Sequence, residues 1–558
     1  MRGAIVVVMS AAIFSLATAA VSSAQETINY ASVSGRVLDP QGGVIPGAIV
    51  TARHMDTNSI RETATDQEGR FRFPYLRVGT YEILIHQDGF TDTKRTLTLN
   101  VGAAFEMPVT LAIAGLDESV TVTGQSTVIE TARSQIAATI PQAEVEKVPM
   151  NGRNFLDLAL LAPGVSPTNT STNQLFAETS AVPGQGISIG SQRNFSNNFI
   201  VDGLSANDDA AGLSGMPYGV DAVDQFQVVT SGGQAELGRA LGGYVNIVTK
   251  SGTNVPHGTM YGYFRDDNFN APNPLSGTTL PMSQKQYGGS VGGPINRDRT
   301  FFFANVEQRN LDQAGLTTIA DSNVAIINAR LAAVGYPGSP VTTGVYQNPV
   351  DMTNLVAKVD HQIRGNDLFN VKYSLYDVAS TNARGAGGLN APSSSAGLDN
   401  IDQAISVSNT LTLSPRTVNE TRAQYTYSDL EALPTDLVGP AVSIAGVANF
   451  GTLSGSPHAR LNKMFQIVDS LSHQRGSHAL RAGVDFIYNH DTITYPRSYR
   501  GSYTFQSTAN FLAGIYNNAG FTQTFAQSVV EQTNPNLGFY AQDEWKASSR
   551  LTFNAGVR

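Results

Sequence analysis

The sequence contains no cysteine. That excludes disulfide staples, thiolate metal sites and a cysteine nucleophile together. Charged residues make up only 15% and aromatic residues 8% of the 558 positions, a mix that disfavours a helical protein. Beyond the N-terminal stretch, no run is long and apolar enough to suggest a membrane-spanning helix. The net charge of −9 leaves no broad basic footprint, so no nucleic-acid partner is expected. Catalytic patterns are scarce as well. The eight histidines are scattered without an H-E-x-x-H pair, and no phosphate-cradling G-x-x-x-x-G-K-[ST] loop occurs. Gly186 to Gly190 spells G-x-S-x-G, but a nucleophile elbow needs a strand before it and a helix after it, and this one lies in a Gly/Ser-rich run. Asp208-Asp209 offers too few ligands for calcium and reads as a solvated loop. No enzymatic activity, cofactor or metal site is expected.

What is present suits strands and turns. Glycine occurs 53 times, and Ser, Thr and Asn recur throughout. Arg2, the apolar run Ile5 to Leu16 and the small residues Ser22-Ser23-Ala24 have the parts of a secretory signal, expected to occupy residues 1–24. If the mature chain enters a membrane, it must do so as a β-barrel, because only helices and closed barrels satisfy every backbone group in lipid.

Residues 25–115 carry short alternating runs split by turns: Ser32 to Asp39, Ala48 to Ala52, Thr63 to Asp66, Phe71 to Phe73 and Tyr81 to Ile85. This spacing predicts a small antiparallel β-sandwich. Gly35-x-Val37-x-Asp39, Ile45-Pro46-Gly47-Ala48-x-Val50, Thr65-Asp66-x-x-Gly69-x-Phe71 and Leu76-x-x-Gly79-x-Tyr81 resemble the carboxypeptidase regulatory-like domain. The resemblance implies a transthyretin-like or carbohydrate-binding-like module without catalysis, serving as a spacer or docking unit or as a sugar binder.

Residues 116–255 change character. Ser119, Val120, Thr121, Val122 and Thr123 form a β-prone strip, and helices are expected at Gln142 to Lys147 and Asn154 to Ala162, the latter stopped by Pro163-Gly164. Phe199-Ile200-Val201-Asp202-Gly203 and Gln225 to Val229 read as buried strands. Gly242 and Gly243 then permit a tight turn and close backbone approach before a β-branched strand containing Asn246, Thr249 and Lys250. This stretch resembles the α+β plug domain of TonB-dependent receptors. Thr230-Ser231-Gly232-Gly233 stands where the best-known members have Arg-Gly-Pro, a departure pointing to the Oar-like branch. By the same resemblance, the strip at Ser119 to Thr123 is a TonB box, which pairs with its partner as an added strand; the alternative is a linker strand or the last strand of the sandwich.

From 256 to 558 the pattern repeats. Phe369, Val371, Tyr373 and Leu375 alternate with Asn370, Lys372, Ser374 and Tyr376; Leu480 to Tyr488, Leu537 to Ala541 and Leu551 to Val557 do likewise. Short turns at Ile295 to Arg299, Ile363 to Asp367, Ser414 to Arg416, His473 to Ser477 and Ala547 to Arg550 alternate with long polar stretches near 266–284, 309–353, 378–403, 429–462 and 490–535. Transmembrane barrels alternate in this way. About 11 strands are expected, half of a large transporter barrel of about 22, and the chain stops in mid-pattern at Arg558, so it is expected to be a truncated sequence. Tyr287 to Ile295, Thr300 to Phe303 with Glu307, and Gln542 to Trp545 resemble Oar-like TonB-dependent barrels. The expected fold is therefore mainly β: a β-sandwich, an α+β plug and the first half of an antiparallel transmembrane barrel. The resemblance implies a cell-outer-membrane receptor with periplasmic N-terminal domains. Its partners would be the TonB energy-coupling complex, outer-membrane lipid and an extracellular ligand that is a siderophore, a glycan or a peptide. A surface carbohydrate-binding or adhesion protein without transport is the alternative.

Overall fold

A computed structural model of the chain describes residues 29–114, 120–121, 135–148, 150, 153–168, 186–208, 213–232, 234–272, 277–516, 520–525, 529–548 and 551–558. The N-terminal unit is a sandwich of two sheets. Arg70–Leu76, Ala31–Leu38 and Ala104–Thr110 form one; Ile60–Ala64, Ile49–His54, Gly79–His86, Thr93–Leu99 and Val120–Thr121 form the other. Alternate residues bury Val33, Val37, Phe71 and Phe73 against Val50, Ala52, Ile83 and Ile85, as the period-2 pattern demands. The pairing is not purely antiparallel as expected. Ala31–Leu38 runs parallel to Ala104–Thr110, and Thr93–Leu99 parallel to Val120–Thr121. Parallel neighbours need a crossover, and the chain supplies the first by passing through the opposite sheet, a path invisible to local alternation.

The plug is a five-stranded sheet in the order Leu204–Ser205, Asn197–Val201, Gly243–Thr249, Val223–Ser231, Ile136–Ile140. Phe199, Val201, Phe226, Val228, Val245 and Ile247 share one core with Leu156, Leu158, Ile187 and Ile189. Gln142–Lys147 is the expected α-helix, with Glu144 in its first turn and Lys147 in its last, each favourable to the helix dipole. Phe155–Leu161 is a 3-10 helix, not an α-helix. Asn154 caps it by accepting from the Leu156 N–H at 3.1 Å, and Gly164 turns away at φ +80°. So short a segment between two stops takes the tighter winding.

The largest element is a 12-stranded sheet. Its main path is eleven strands, each antiparallel to the next: His257–Asp266, Met282–Asn296, Thr300–Thr317, Val350–Arg364, Asp367–Arg384, Ala396–Ser414, Thr417–Ala432, His458–Arg475, His478–Thr494, Val529–Ser548 and Leu551–Val557. The faces are inverted relative to a soluble protein. Asn305, Glu307, Asn354, Lys358, Lys372, Glu420, Arg422 and Arg481 are buried against the plug, while Ile405, Val407, Phe465, Leu537 and Phe539 point outward and exposed. That is the arrangement of a wall facing lipid outside and a polar lumen inside. Among the described residues no helix is long and apolar enough to cross a membrane.

One end of this wall carries the short turns. The other carries the long connections, and these are more structured than their polar composition suggests. The strands extend well into the expected loop 378–403, leaving 385–395 between them. Three of the other connections fold together: helices Asp321–Ala333 and Thr508–Ala513 join a sheet of Ala448–Gly451, Ala441–Ile444, Ser502–Phe505 and Phe521–Thr522. Ile327, Leu331, Ile444, Phe450, Phe505 and Phe511 form its core. These apolar residues have no common period, so only their convergence in space reveals them.

The sandwich docks at the short-turn end. Arg77 pairs with Asp360 at 3.2 Å and donates to Ser251 at 2.7 Å, Arg72 pairs with Glu544 at 3.3 Å, and Tyr30 shares a hydrogen bond with Thr410 at 2.8 Å. It also touches the plug, where the Val101 N–H donates to Gln225 at 2.7 Å.

Candidate functional site

The plug strand that the sequence singles out is the centre of the anchoring. Gly243–Thr249 is buried along its whole length. A Cβ on Gly243 would strike the Val229 carbonyl and come within 2.7 Å of Ile189; one on Gly242 would lie 2.7 Å from the Asn197 amide. Asn246 is buried in the same strand, opposite Ile200 and Gln227. Thr249 reaches Asp202, which sits with Gly203 in a two-residue turn of positive φ, 49° and 80°, the geometry of a tight hairpin. The Thr249 N–H and hydroxyl donate to Asp202 at 3.0 and 2.7 Å. The wall answers with two lysines: Lys372 Nζ meets Asp202 at 2.6 Å, and Lys358 Nζ donates to the Thr249 carbonyl and hydroxyl, both at 3.2 Å. Lys250 instead stays within the plug, 2.6 Å from Glu146 on its helix.

Burial alone would raise the Asp202 carboxyl, but the Lys358 and Lys372 ammoniums hold it far below the ordinary carboxylate value. A depressed folded-state pKa contributes stability that is complete above the unfolded value of about 4 and is lost as pH falls through the folded one. Acid unfolding of the plug should therefore steepen below about pH 4, and Asp202→Asn should flatten that limb in a pH-resolved denaturant titration.

A second cluster joins all three units. Glu236 of the plug meets Arg481 at 2.5 Å and Arg422 at 3.8 Å; Arg422 also pairs closely with Glu420. The Tyr75 ring of the sandwich lies 5.2 Å from the Arg481 guanidinium. A third anchor is Arg153, 2.5 Å from Asp221 and 4.7 and 4.5 Å from the rings of Tyr261 and Tyr263 on the wall. These anchors were not among the sequence candidates. Their only sequence signal is charge on the polar face of alternating strands, which does not say what each charge meets.

Between the plug's apex and the wall lies a chamber of about 420 Å³. Plug residues Val201, Ser205 to Asp208, Gly215, Met216 and Tyr218 contribute its floor, and its sides come from six strands, five of them near their long-connection ends and Asp367–Arg384 through Lys372. Asp208 is not the solvated residue expected. It forms a bidentate pair with Arg460 at 2.9 and 2.7 Å and is buried there; the inward wall arginine overrides the loop's polar composition. Asp209 lies outside the described residues. Ser188, of the G-x-S-x-G match, donates to the Gln192 carbonyl at 2.7 Å and is followed by a turn rather than a helix. Of the strip Ser119 to Thr123, Val120–Thr121 pairs with Thr93 and Lys94 at the sandwich edge; Ser119, Val122 and Thr123 lie outside the described residues.

The comparisons with known proteins agree with this architecture. The model of the outer membrane beta barrel domain matches residues 248–343 and 324–558, and that of the carboxypeptidase regulatory-like domain matches residues 32–112. The TonB-dependent transporter Oar of Myxococcus xanthus is 24% identical over 644 aligned residues, which take in 94% of this chain and 57% of Oar. The chain thus spans little more than half the length of that relative. Among solved structures, the outer membrane transporter YddB from Escherichia coli superposes with a TM-score of 0.53 at 15% identity, covering 76% of this chain and 56% of that one. The siderophore receptor PirA from Acinetobacter baumannii gives a TM-score of 0.50 at 15% identity over 75% and 56%. These two show the fold. With the barrel-domain match extending over more than half of its length, the chain belongs to the outer membrane beta barrel family, with a carboxypeptidase regulatory-like domain ahead of its plug and the outer membrane as its location.

Proposed function

We propose that this chain is part of a receptor that takes up an extracellular ligand across the outer membrane, non-enzymatically and at the expense of energy delivered by a TonB complex. The observation that carries this reading is the chamber. It lies at the long-connection end, between wall and plug apex, and the plug below it is held to the wall by ion pairs alongside the apolar contacts of Phe303, Val350 and Val356. A ligand bound there would rest on the element that has to move. Ion pairs in a polar lumen suit such an element, because water entering as the plug shifts can solvate the separated charges.

Energy would enter at Ser119, Val120, Thr121, Val122 and Thr123, where an extended strip adds to a partner's sheet through backbone hydrogen bonds. The glycine turn and strand at Gly242, Gly243, Asn246, Thr249 and Lys250 would transmit the pull, since they run through the centre of the plug sheet. Val122→Pro removes one backbone donor from the strip. In cells carrying the chain in its full-length receptor, it is expected to abolish uptake that depends on the proton-motive force while leaving ligand binding to the cell surface intact. Energised uptake that survived the change would show that the strip is not the coupling site.

A further inference from the structure

We infer that the chamber accepts a neutral, hydroxyl-rich chain, an oligosaccharide, laid across the barrel strands; this rests on the receptor reading above. The wall of the chamber is ordered in rungs. Asp402, Ser428, Asn462, Asp491 and Gln532 are successive register partners on five neighbouring strands, and all five line the cavity. Adjacent strands stand about 4.8 Å apart, so this rung presents a polar side chain at each step over roughly 19 Å. Asn489 and Asn534 repeat the theme one rung nearer the plug.

The side chains suit hydroxyl groups. Carboxylates accept and amides both donate and accept, and a hydroxyl can answer either. Two bonds along the wall set their planes in advance: Asn462 donates to Asp491 at 2.6 Å, and Asn400 donates to Asp402 at 3.0 Å. Such preorganisation lowers the ordering cost of binding. Met216 and Tyr218 of the plug apex add apolar surface for the C–H faces of sugar rings.

Charge argues against an anionic iron chelate. Three carboxylates line the chamber, Asp208, Asp402 and Asp491, against two cations, Arg460 and Lys372. Both cations are committed, Arg460 to Asp208 and Lys372 to Asp202, so a polyanion would meet carboxylates without a guanidinium or ammonium to receive it. Pairing argues against an extended peptide. The strands Ala396–Ser414, Thr417–Ala432, His458–Arg475 and His478–Thr494 are each hydrogen-bonded to a neighbour on both sides, which leaves no open edge along them for strand addition; Val529–Ser548 is paired on its second side from Ala541 onward.

The test is titration calorimetry on the purified receptor in detergent with maltohexaose, cellohexaose and xylohexaose as neutral probes, ferric citrate as the anion and tetralysine as the peptide. Gln532→Leu, on an exposed side chain that folding tolerates, and Asn462→Leu are measured alongside, with circular dichroism to confirm the sheet. The expected result is that a neutral hexasaccharide binds, that each variant weakens it by about tenfold, and that ferric citrate and tetralysine do not compete. Binding of ferric citrate or tetralysine in the chamber, indifference of oligosaccharide binding to both variants, or no binding of any neutral probe by folded protein would each overturn the inference. The parent reading fails separately. Oligosaccharide binding without energised uptake removes transport and leaves the chamber assignment standing; energised uptake of ferric citrate does the reverse.

Discussion

Glu236→Ala should loosen the plug from the wall by about 3–5 kcal/mol, the scale on which removing one partner of a buried ion pair destabilises a fold. Glu236 has a side chain only 4% exposed and serves Arg481 and Arg422 together. Arg422 retains Glu420 after the change, but Arg481 loses the carboxylate 2.5 Å away, and two guanidiniums are left with one fewer negative charge between them. The cost comes chiefly from stranded positive charge rather than from one lost hydrogen bond. Glu236→Gln should therefore recover little of it, although the amide keeps the shape. Denaturant unfolding monitored by limited proteolysis within the plug would read the difference. If Glu236→Ala resisted protease like the parent, seating would have to be assigned to the Asp202–Lys372 pair and to Arg153 on Tyr261 and Tyr263 instead.

Gly243→Val is expected to unseat the central plug strand and cost about 3 kcal/mol or more, at or beyond the upper end for overpacking. The Val229 carbonyl stands where the new Cβ must go, and the Ile189 side chain crowds the same space. No rotamer relieves this, since the clash begins at Cβ itself. The strand pairs with Asn197–Val201 on one side and Val223–Ser231 on the other, so a shift on either side propagates into the sheet. Gly365→Ala is the matched control: a Cβ there meets nothing within 4 Å, and its effect should stay within about 0.5 kcal/mol. Equal melting of Gly243→Val and Gly365→Ala would mean that the close approach at Gly243 has no energetic weight.

Much of this architecture is legible in the chain without coordinates, because it depends on local periodicity. Phe369 to Tyr376 alternates whatever lies beside it, and that alternation specifies a strand with one apolar and one polar face. Short turns at 297–299 and 415–416 alternating with long connections dictate an up-and-down wall. The glycines at 242 and 243 announce a close approach, and Asp202-Gly203 a tight turn. The absence of long apolar runs, together with outward Phe465, Leu537 and Phe539, leaves a barrel as the means of membrane residence.

What tertiary structure alone decided is which polar positions meet. Asp402, Ser428, Asn462, Asp491 and Gln532 are separated by irregular intervals in the chain, because every intervening connection has its own length, and only strand register brings them onto one rung. The same holds for Glu236 with Arg422 and Arg481, for Asp208 with Arg460, and for Ile327, Phe450 and Phe511 in the folded outer connections. An alternating pattern determines which way a side chain points. Its partner is set by the lengths of loops and the curvature of the sheet, which are properties of the whole assembled wall and not of any segment within it.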